Sequence, residues 1–268
     1  TLEAMQEVVS EETGCVHLLQ QLVRKSLVGA TPLSLPDGRR RRYHLLRAIR
    51  EYAVARLAAG SEQESVHRRH FYYYSKLAVQ LGDQVMAAQH SSAMAGLDAD
   101  YYNIRAAAQF ALSRPDLVDE RLRMAAALTY YWRLRSHTLR AEGLTWLETE
   151  LVPEAACSPS ALALAYGSIL SLGCIDPLHS ALNVGAEWHG VRRLFDVSEA
   201  LLQEEGWLES DPRSAGRLLL ALADAHRFPG GLAKCGEYAA QAVELLETAG
   251  DLRGLGFAHN ILTWVDLM

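Results

Sequence analysis

Residues 26–46, SLVGATPLSLPDGRRRRYHLL, decide how the first part of the chain is read. A β-branched and apolar run interrupted by Gly29 and Pro32 leads into Pro36, Asp37 and Gly38, and a second extended run follows from Arg41 to Leu46. Proline presets the φ of a turn and glycine accepts a positive one, so the spacing predicts a β-hairpin whose tip carries Arg39, Arg40, Arg41 and Arg42. Upstream, Leu2, Met5, Val8 and Val9 fall at helical spacing, as do Val16, Leu19, Leu22 and Val23 after the break at Gly14. Downstream, Leu46, Ile49, Tyr52, Ala53 and Leu57 build one apolar stripe, ended by Gly60. Two helices, a hairpin and an amphipathic helix leading away make the back half of a winged helix.

Beyond residue 46 the pattern is helical throughout. Ser61-Glu62-Gln63-Glu64 reads as a capping box, opening a helix with Val66, His70, Tyr73, Tyr74, Leu77 and Leu81 on its inner face. Breaks fall near Pro115, Pro153, Pro159, Pro177, Pro212 and Pro229-Gly230-Gly231. The last third is repetitive: residues 214–226 align with 253–265 when Ala215 is set over Gly254, with a second helix, 235–249, between them. An earlier helix, 160–170, is followed by a longer partner through Trp188, Leu194, Val197, Leu201 and Leu202, and the wider spacing implies an insertion around 173–183. Small residues at helical spacing let helices approach closely, and pairs recurring every ~34 to 40 residues mark tetratricopeptide-like solenoids. The expected fold is mainly α: a partial winged helix with one β-hairpin (1–58), a helical linker with degenerate repeats (59–155), then a tetratricopeptide-like α-solenoid (156–268).

Composition narrows the function classes. The 268 residues are half apolar and carry a net charge of −6. Residues 1–80 hold 12 Lys/Arg against 8 Asp/Glu, and residues 81–268 hold 14 against 24, so a mildly basic head precedes an acidic body that offers no broad field to nucleic acid. Cys15, Cys157, Cys174 and Cys235 form no C-x-x-C pair, which disfavours zinc and a disulfide framework and suits a reducing cytoplasm. No apolar run approaches the roughly 18 to 20 residues of a membrane span. A start at Thr1 and a stop at Met268 inside a helical pattern suggest a piece of something longer.

Four segments occur in order: LVRKSLV (22–28), RYHLLRAIREYAVARL (42–57), RRHFYYY (68–74) and DADYYNIRAAA (98–108). With the repeats, this set resembles the large STAND-type bacterial transcriptional regulators and predicted ATPases, including the SARP-type and LuxR-type regulators of actinobacteria. The resemblance implies a P-loop domain that leads into a winged helix and repeats, with ATP or ADP and Mg bound by that domain. This chain carries no G-x-x-x-x-G-K-[ST]; the nearest run, Gly231 to Gly236, is followed by Glu237. It is therefore expected to be non-enzymatic, with no cofactor of its own. The family's Met-His-Asp motif after the wing falls on Leu45, Leu46 and Arg47, which leaves His44 two places out of register.

Candidate sites follow from residue chemistry. Arg39 to Arg42 could fork onto phosphate as a wing, or form a solvated hairpin tip. The recognition helix His17–Lys25 is poor in base-reading residues on any one face, so DNA reading through this region is not expected. His67 and His70 share a helix face, but Arg68 and Arg69 beside them repel a metal ion. Tyr72, Tyr73, Tyr74, Tyr101, Tyr102, Tyr130, Tyr131 and Trp132 could stack bases, yet at helical spacing they read as core. Cys235 and His226 lack an orienting third group. In the solenoid, the first helix of each pair lines the groove, which nominates Tyr166, Leu170, Arg217, Asp224, Asn260 and Trp264 to read a protein, a peptide or a small effector. The chain's own ATPase domain is the second expected partner, and no membrane is expected.

Overall fold

The structure, a computed structural model, describes residues 1–9, 14–36, 38–85, 87, 89–148, 157–173, 187–204, 206–227 and 231–268. It is mainly α-helical with one two-stranded antiparallel sheet, and it divides into two compact units, Thr1–Arg114 and Pro115–Met268.

In the first unit, α1 (Leu2–Val9) and α2 (Cys15–Arg24) precede β1 (Val28–Leu35) and β2 (Gly38–Leu45). Beyond the end of α2, Ser26 has a φ of 58° that lets the Leu27 N–H donate to the Leu22 carbonyl at 3.0 Å and turns the chain into β1. The strands pair from Val28 opposite Leu45 to Leu35 opposite Gly38. Gly38 has φ 143°, a conformation closed to residues with a side chain, so the turn requires glycine there. The arginines therefore lie along β2 rather than at its tip, Arg39 opposite Ser34 and Arg42 opposite Thr31. α3 (Arg47–Ala58) follows with no buried residue: only Ile49 and Leu57 are half-buried, and Tyr52 of the predicted stripe is 67 % exposed.

α4 (Gln63–Val85) and α5 (His90–Ala111) pack side by side in this same unit. The buried face of α4 is Phe71, Tyr74, Ser75, Ala78, Gly82 and Val85, rotated from the predicted stripe because its small residues admit α5 closely. α1 lies against α4, and Arg69 Nε donates to the Val8 carbonyl at 2.6 Å, satisfying the end of α1. The predicted capping box is replaced. α4 starts at Gln63, and the Glu64 carboxylate takes Arg114 at 2.6 Å and Arg68 at 2.9 Å instead of reaching back to Ser61.

The second unit opens with a 3-10 turn, Pro115–Leu117, then α6 (Val118–Ala127), α7 (Thr129–Arg135), α8 (His137–Glu148) and α9 (Pro159–Gly173). α10 (Glu187–Leu202), the short α11 (Trp207–Ser210), α12 (Pro212–Ala225), α13 (Leu232–Thr248) and α14 (Leu252–Leu267) complete it. α9 is apolar nearly all round, as a helix packed on several sides must be, and it touches α6, α8, α10 and α12. α12 packs on α13, and α13 on α14, across short connections. Ala163, Leu170, Leu194, Leu201, Trp207, Leu218 and Leu222 form one core cluster; Trp207 Nε1 donates to the Leu201 carbonyl at 2.6 Å, so the indole is buried without an unpaired N–H.

The repeat is registered by its caps. The Ala161 N–H donates to Ser158 Oγ at 3.3 Å, that of Ser214 to Asp211 Oδ1 at 3.1 Å and that of Gly254 to Asp251 Oδ1 at 3.2 Å. Asp211 thus corresponds to Asp251 and Ser214, not Ala215, to Gly254. A single-residue difference from the sequence alignment matters, because it rotates every face by about 100°. The predicted insertion at 173–183 lies outside the described residues, except for Gly173.

Candidate functional site

Two surfaces carry the nominated residues, one in each unit. In the hairpin, strand parity separates the arginines: Arg39 and Arg41 point to one face, Arg40 and Arg42 to the other. Arg42 turns inward. Its Nη1 donates to the Ala99 carbonyl, and Nη2 sits 3.6 Å from Asp100, whose carboxylate also accepts from Asn103 at 3.0 Å. The charge of Arg40 acts on Glu3 and Tyr73. Arg39 and Arg41 are exposed, while the His44 ring lies across Gly29 on the neighbouring strand. Arg42 therefore ties the hairpin to the helices, and the outward pair is what remains for an anion.

In the second unit the caps fix the helix phase. The sixth, ninth and thirteenth residues after each cap share a face: Arg217, Leu220 and Asp224 on α12, and Phe257, Asn260 and Trp264 on α14. Four of the six nominated groove residues, Arg217, Asp224, Asn260 and Trp264, lie here. Tyr166 and Leu170 do not. They are the eighth and twelfth residues after Ser158; Leu170 is 1 % exposed in the core cluster, and Tyr166 packs against it. On α9 this face is where α12 crosses closely, Ala221 Cβ lying 3.5 Å from where a side chain on Gly167 would begin.

The surface is arginine-rich and aromatic. Arg217 Nε donates to Asp251 Oδ2 at 2.8 Å; Arg227 pairs with Asp224 at 3.0 Å and lies 5.0 Å over the Trp264 ring. Burial pushes the Asp251 carboxyl up, and the Arg217 charge, the Gly254 N–H and Arg213 outweigh it, leaving its pKa below the usual carboxylate value. Tyr130 of α7 stacks on Phe257 at 5.7 Å between centroids and 16° between planes, which places an aromatic pair over this face. Burial pushes the Tyr130 hydroxyl up, and the charges of Arg133, Asp224, Arg217 and Arg253 all reach it. Sequence reading took Tyr130 as core and did not single out Phe257. The D-x-R run at 211–213 and 251–253 was the available signal, since a cap register would have put Phe257 in the place of Arg217.

The remaining candidates are packed. His67 meets the Phe110 ring at 5.3 Å and His70 the Tyr74 ring at 4.6 Å; among the described residues no three His, Cys, Asp or Glu are grouped as a metal site. Tyr131 and Trp132 are buried, while Tyr72 and Tyr102 are exposed. Cys235 is buried among Ala223, Ala239 and Ile261, and burial pushes its thiol up, the reverse of activation. His226 lies between the Phe195 ring at 4.7 Å and the Tyr238 ring at 5.6 Å. The arrangement offers guanidinium forks and ring faces, which suit recognition. No described helix is long and apolar enough to cross a membrane.

Over 134 residues, half of its length, the chain is 39 % identical to proteins of Mycobacterium bovis and Mycobacterium tuberculosis that carry the name "Putative HTH-type transcriptional regulator". It spans 14 % of the length of those relatives. No protein-family model and no solved structure matches the chain.

Proposed function

We propose that this chain is a non-catalytic sensing and interaction region of a larger transcriptional regulator of STAND type. Its second unit is a tetratricopeptide-like array whose α12–α14 face takes a peptide, a protein domain or a small effector. Occupancy of that face shifts a two-state docking equilibrium against a nucleotide-binding ATPase domain elsewhere in the polypeptide. The similarity to HTH-type transcriptional regulators supports the regulatory role, and ATP or ADP with Mg belongs to the domain outside these residues. The observation that carries the binding role is the Arg217, Asp224, Phe257, Asn260 and Trp264 face with Tyr130 stacked above it. Arginine and large aromatic side chains are enriched among the residues that carry binding energy, which supports a recognition role for this face. The test uses the whole gene product: deleting residues 156–268 changes its ATP hydrolysis or its oligomeric state. Unchanged hydrolysis and unchanged assembly refute the coupling.

A second reading assigns the hairpin to nucleic acid or nucleotide, favoured by the outward pair Arg39 and Arg41. It requires affinity for duplex DNA that falls steeply with salt and is lost in the Arg39→Ala/Arg41→Ala variant. Absence of binding at low salt disposes of it.

A further inference from the structure

The second unit is acidic: residues 115–268 hold 12 Lys/Arg against 21 Asp/Glu. Five of those twelve cations, Arg133, Arg213, Arg217, Arg227 and Arg253, stand on or beside the α12–α14 face. Arg213 and Arg253 are each the second residue after their cap, one turn before Arg217 and Phe257 on the same stripe. Two of the five are neutralised where they stand. Asp251 holds Arg217 at 2.8 Å and gives its other oxygen to the Gly254 N–H, and Asp224 holds Arg227 at 3.0 Å. Arg133, Arg213 and Arg253 form no ion pair among the described residues. Carboxylates are plentiful in this unit, yet no described one is set against these three.

Three helices bring the charges to one place. Those of Arg133 on α7, Arg217 on α12 and Arg253 on α14 all act on the half-buried Tyr130 hydroxyl. Arg213 acts on the Asp251 carboxylate that Arg217 holds, and the Arg133 guanidinium lies 6.0 Å over the Tyr130 ring. Burial keeps the hydroxyl protonated, so it is a donor beside the guanidinium N–H groups. Farther along the face, Arg227 is already paired with Asp224, and Asn260 and Trp264 carry no charge. The unpaired cations thus gather at one end and do not follow the length of the groove, which suits a compact anionic group more than an extended acidic chain.

A carboxylate brings one negative charge and two oxygens. A phosphate monoester brings about −1.5 to −2 and three strong acceptor oxygens, the better match to three unpaired guanidinium forks and a hydroxyl. The row Phe257, Asn260 and Trp264 continues from the cations and offers ring faces and an amide to an organic part. We infer, resting on the reading of the α12–α14 face as a recognition surface, that its Tyr130, Arg133, Arg213, Arg217 and Arg253 end binds the phosphate of a small organic phosphate monoester.

Calorimetric titration of the 268-residue chain, at low ionic strength in a buffer without phosphate, tests this with phenyl phosphate as the probe. Phenyl phosphate binds at a single site, and benzoate and inorganic phosphate each bind at least about tenfold more weakly. Arg213→Gln/Arg253→Gln lowers the affinity for phenyl phosphate at least about tenfold. Neither side chain is in an ion pair, so the variant keeps its melting temperature. Tyr130→Phe retains the stack on Phe257 and loses only the donor, and it lowers affinity at least about threefold. Lys234→Gln, which removes a cation paired with Glu199 on α10, stays within about twofold. Absence of phenyl phosphate binding, or unchanged affinity in the arginine and tyrosine variants, overturns the inference and leaves the sensing role to be decided by the deletion of residues 156–268. Benzoate binding as tightly as phenyl phosphate gives the site to a carboxylate, and inorganic phosphate binding as tightly removes the organic part. An equal loss in Lys234→Gln reduces the effect to diffuse charge. Each of these three results also overturns it.

Discussion

Asp251 is the residue on which the second unit's geometry can be tested most sharply. Its carboxylate caps α14 through the Gly254 N–H and holds Arg217 from α12, so one side chain sets both a helix start and a contact between helices. Losing a cap costs about 1 kcal/mol. A hydrogen bond to a charged partner contributes roughly 1.5 to 3 kcal/mol, and Arg217 is about a third exposed, so about 1 to 2 kcal/mol is the appropriate share. Asp251→Ala therefore lowers stability by about 2 to 3 kcal/mol, and at roughly 2 to 4 °C per kcal/mol for a unit of this size the melting temperature falls by about 4 to 12 °C. Asp251→Asn retains an acceptor for Gly254 and loses only the charge, so it costs less, about 1 kcal/mol.

The pH dependence has a definite sign. The folded pKa of Asp251 lies below the unfolded value of 3.8, so its contribution is present above about pH 4 and lost as pH falls through the folded pKa. Differential scanning calorimetry of wild type and Asp251→Asn shows a constant gap from pH 8 to 5 that narrows progressively as pH falls below 4. A loss under about 0.5 kcal/mol for Asp251→Ala, or a gap that does not narrow below pH 4, refutes the role given to this carboxylate.

Three further outcomes follow from the same structure. Leu246→Ala empties the space between Gly216 and Gly254 and costs about 2 to 5 kcal/mol in chemical denaturation. Arg42→Ala removes the tie to Ala99 and Asp100 and destabilises the first unit by about 1 to 2 kcal/mol, while Arg39→Ala and Arg41→Ala each stay within about 0.5 kcal/mol, as measured by urea titration. Burial, with Lys234 adding to it and Glu199 opposing it, holds the His226 pKa below 6.5, so folding favours the neutral ring; stability that depends on it is present above pH 6.5 and declines below, and His226→Gln flattens that decline in melting temperatures taken from pH 7.5 to 5.

Much of the fold was legible because periodicity and punctuation are local. Gly14 separates two helices, Pro36 and Gly38 bracket the hairpin turn, and Pro115, Pro159 and Pro212 each stand at the start of a helical segment. Helix phase was less legible. Small residues invite an alignment of Ala215 with Gly254, whereas the physical register is set by a cap side chain bonded to a backbone N–H. The caps put Arg217 and Asp224 on one face of α12, whereas Leu170, nominated with them, is core. The role of Tyr130 was not legible for another reason: its partner Phe257 is distant in sequence, and no local pattern records a contact made by tertiary packing.

The four arginines show how strand register reassigns a motif. A run of like charges suggests one surface, yet a period of two divides it, and the division has energetic consequences. Arg42 reaches a backbone carbonyl and a mostly buried carboxylate, contacts that order the hairpin against α5, so it contributes to folding and is not available to a phosphate. Arg39 and Arg41 contribute little to folding and lose nothing by meeting an anion. The helix that follows, α3, has the same character: a 12-residue helix with no buried residue is marginal in water by propensity alone. Four alanines and the Arg47–Glu51 pair at 2.9 Å favour it, but its apolar residues gain little burial in the first unit. Arg39 and Arg41 on the hairpin are exposed and α3 buries no residue, so both depend little on packing inside the first unit.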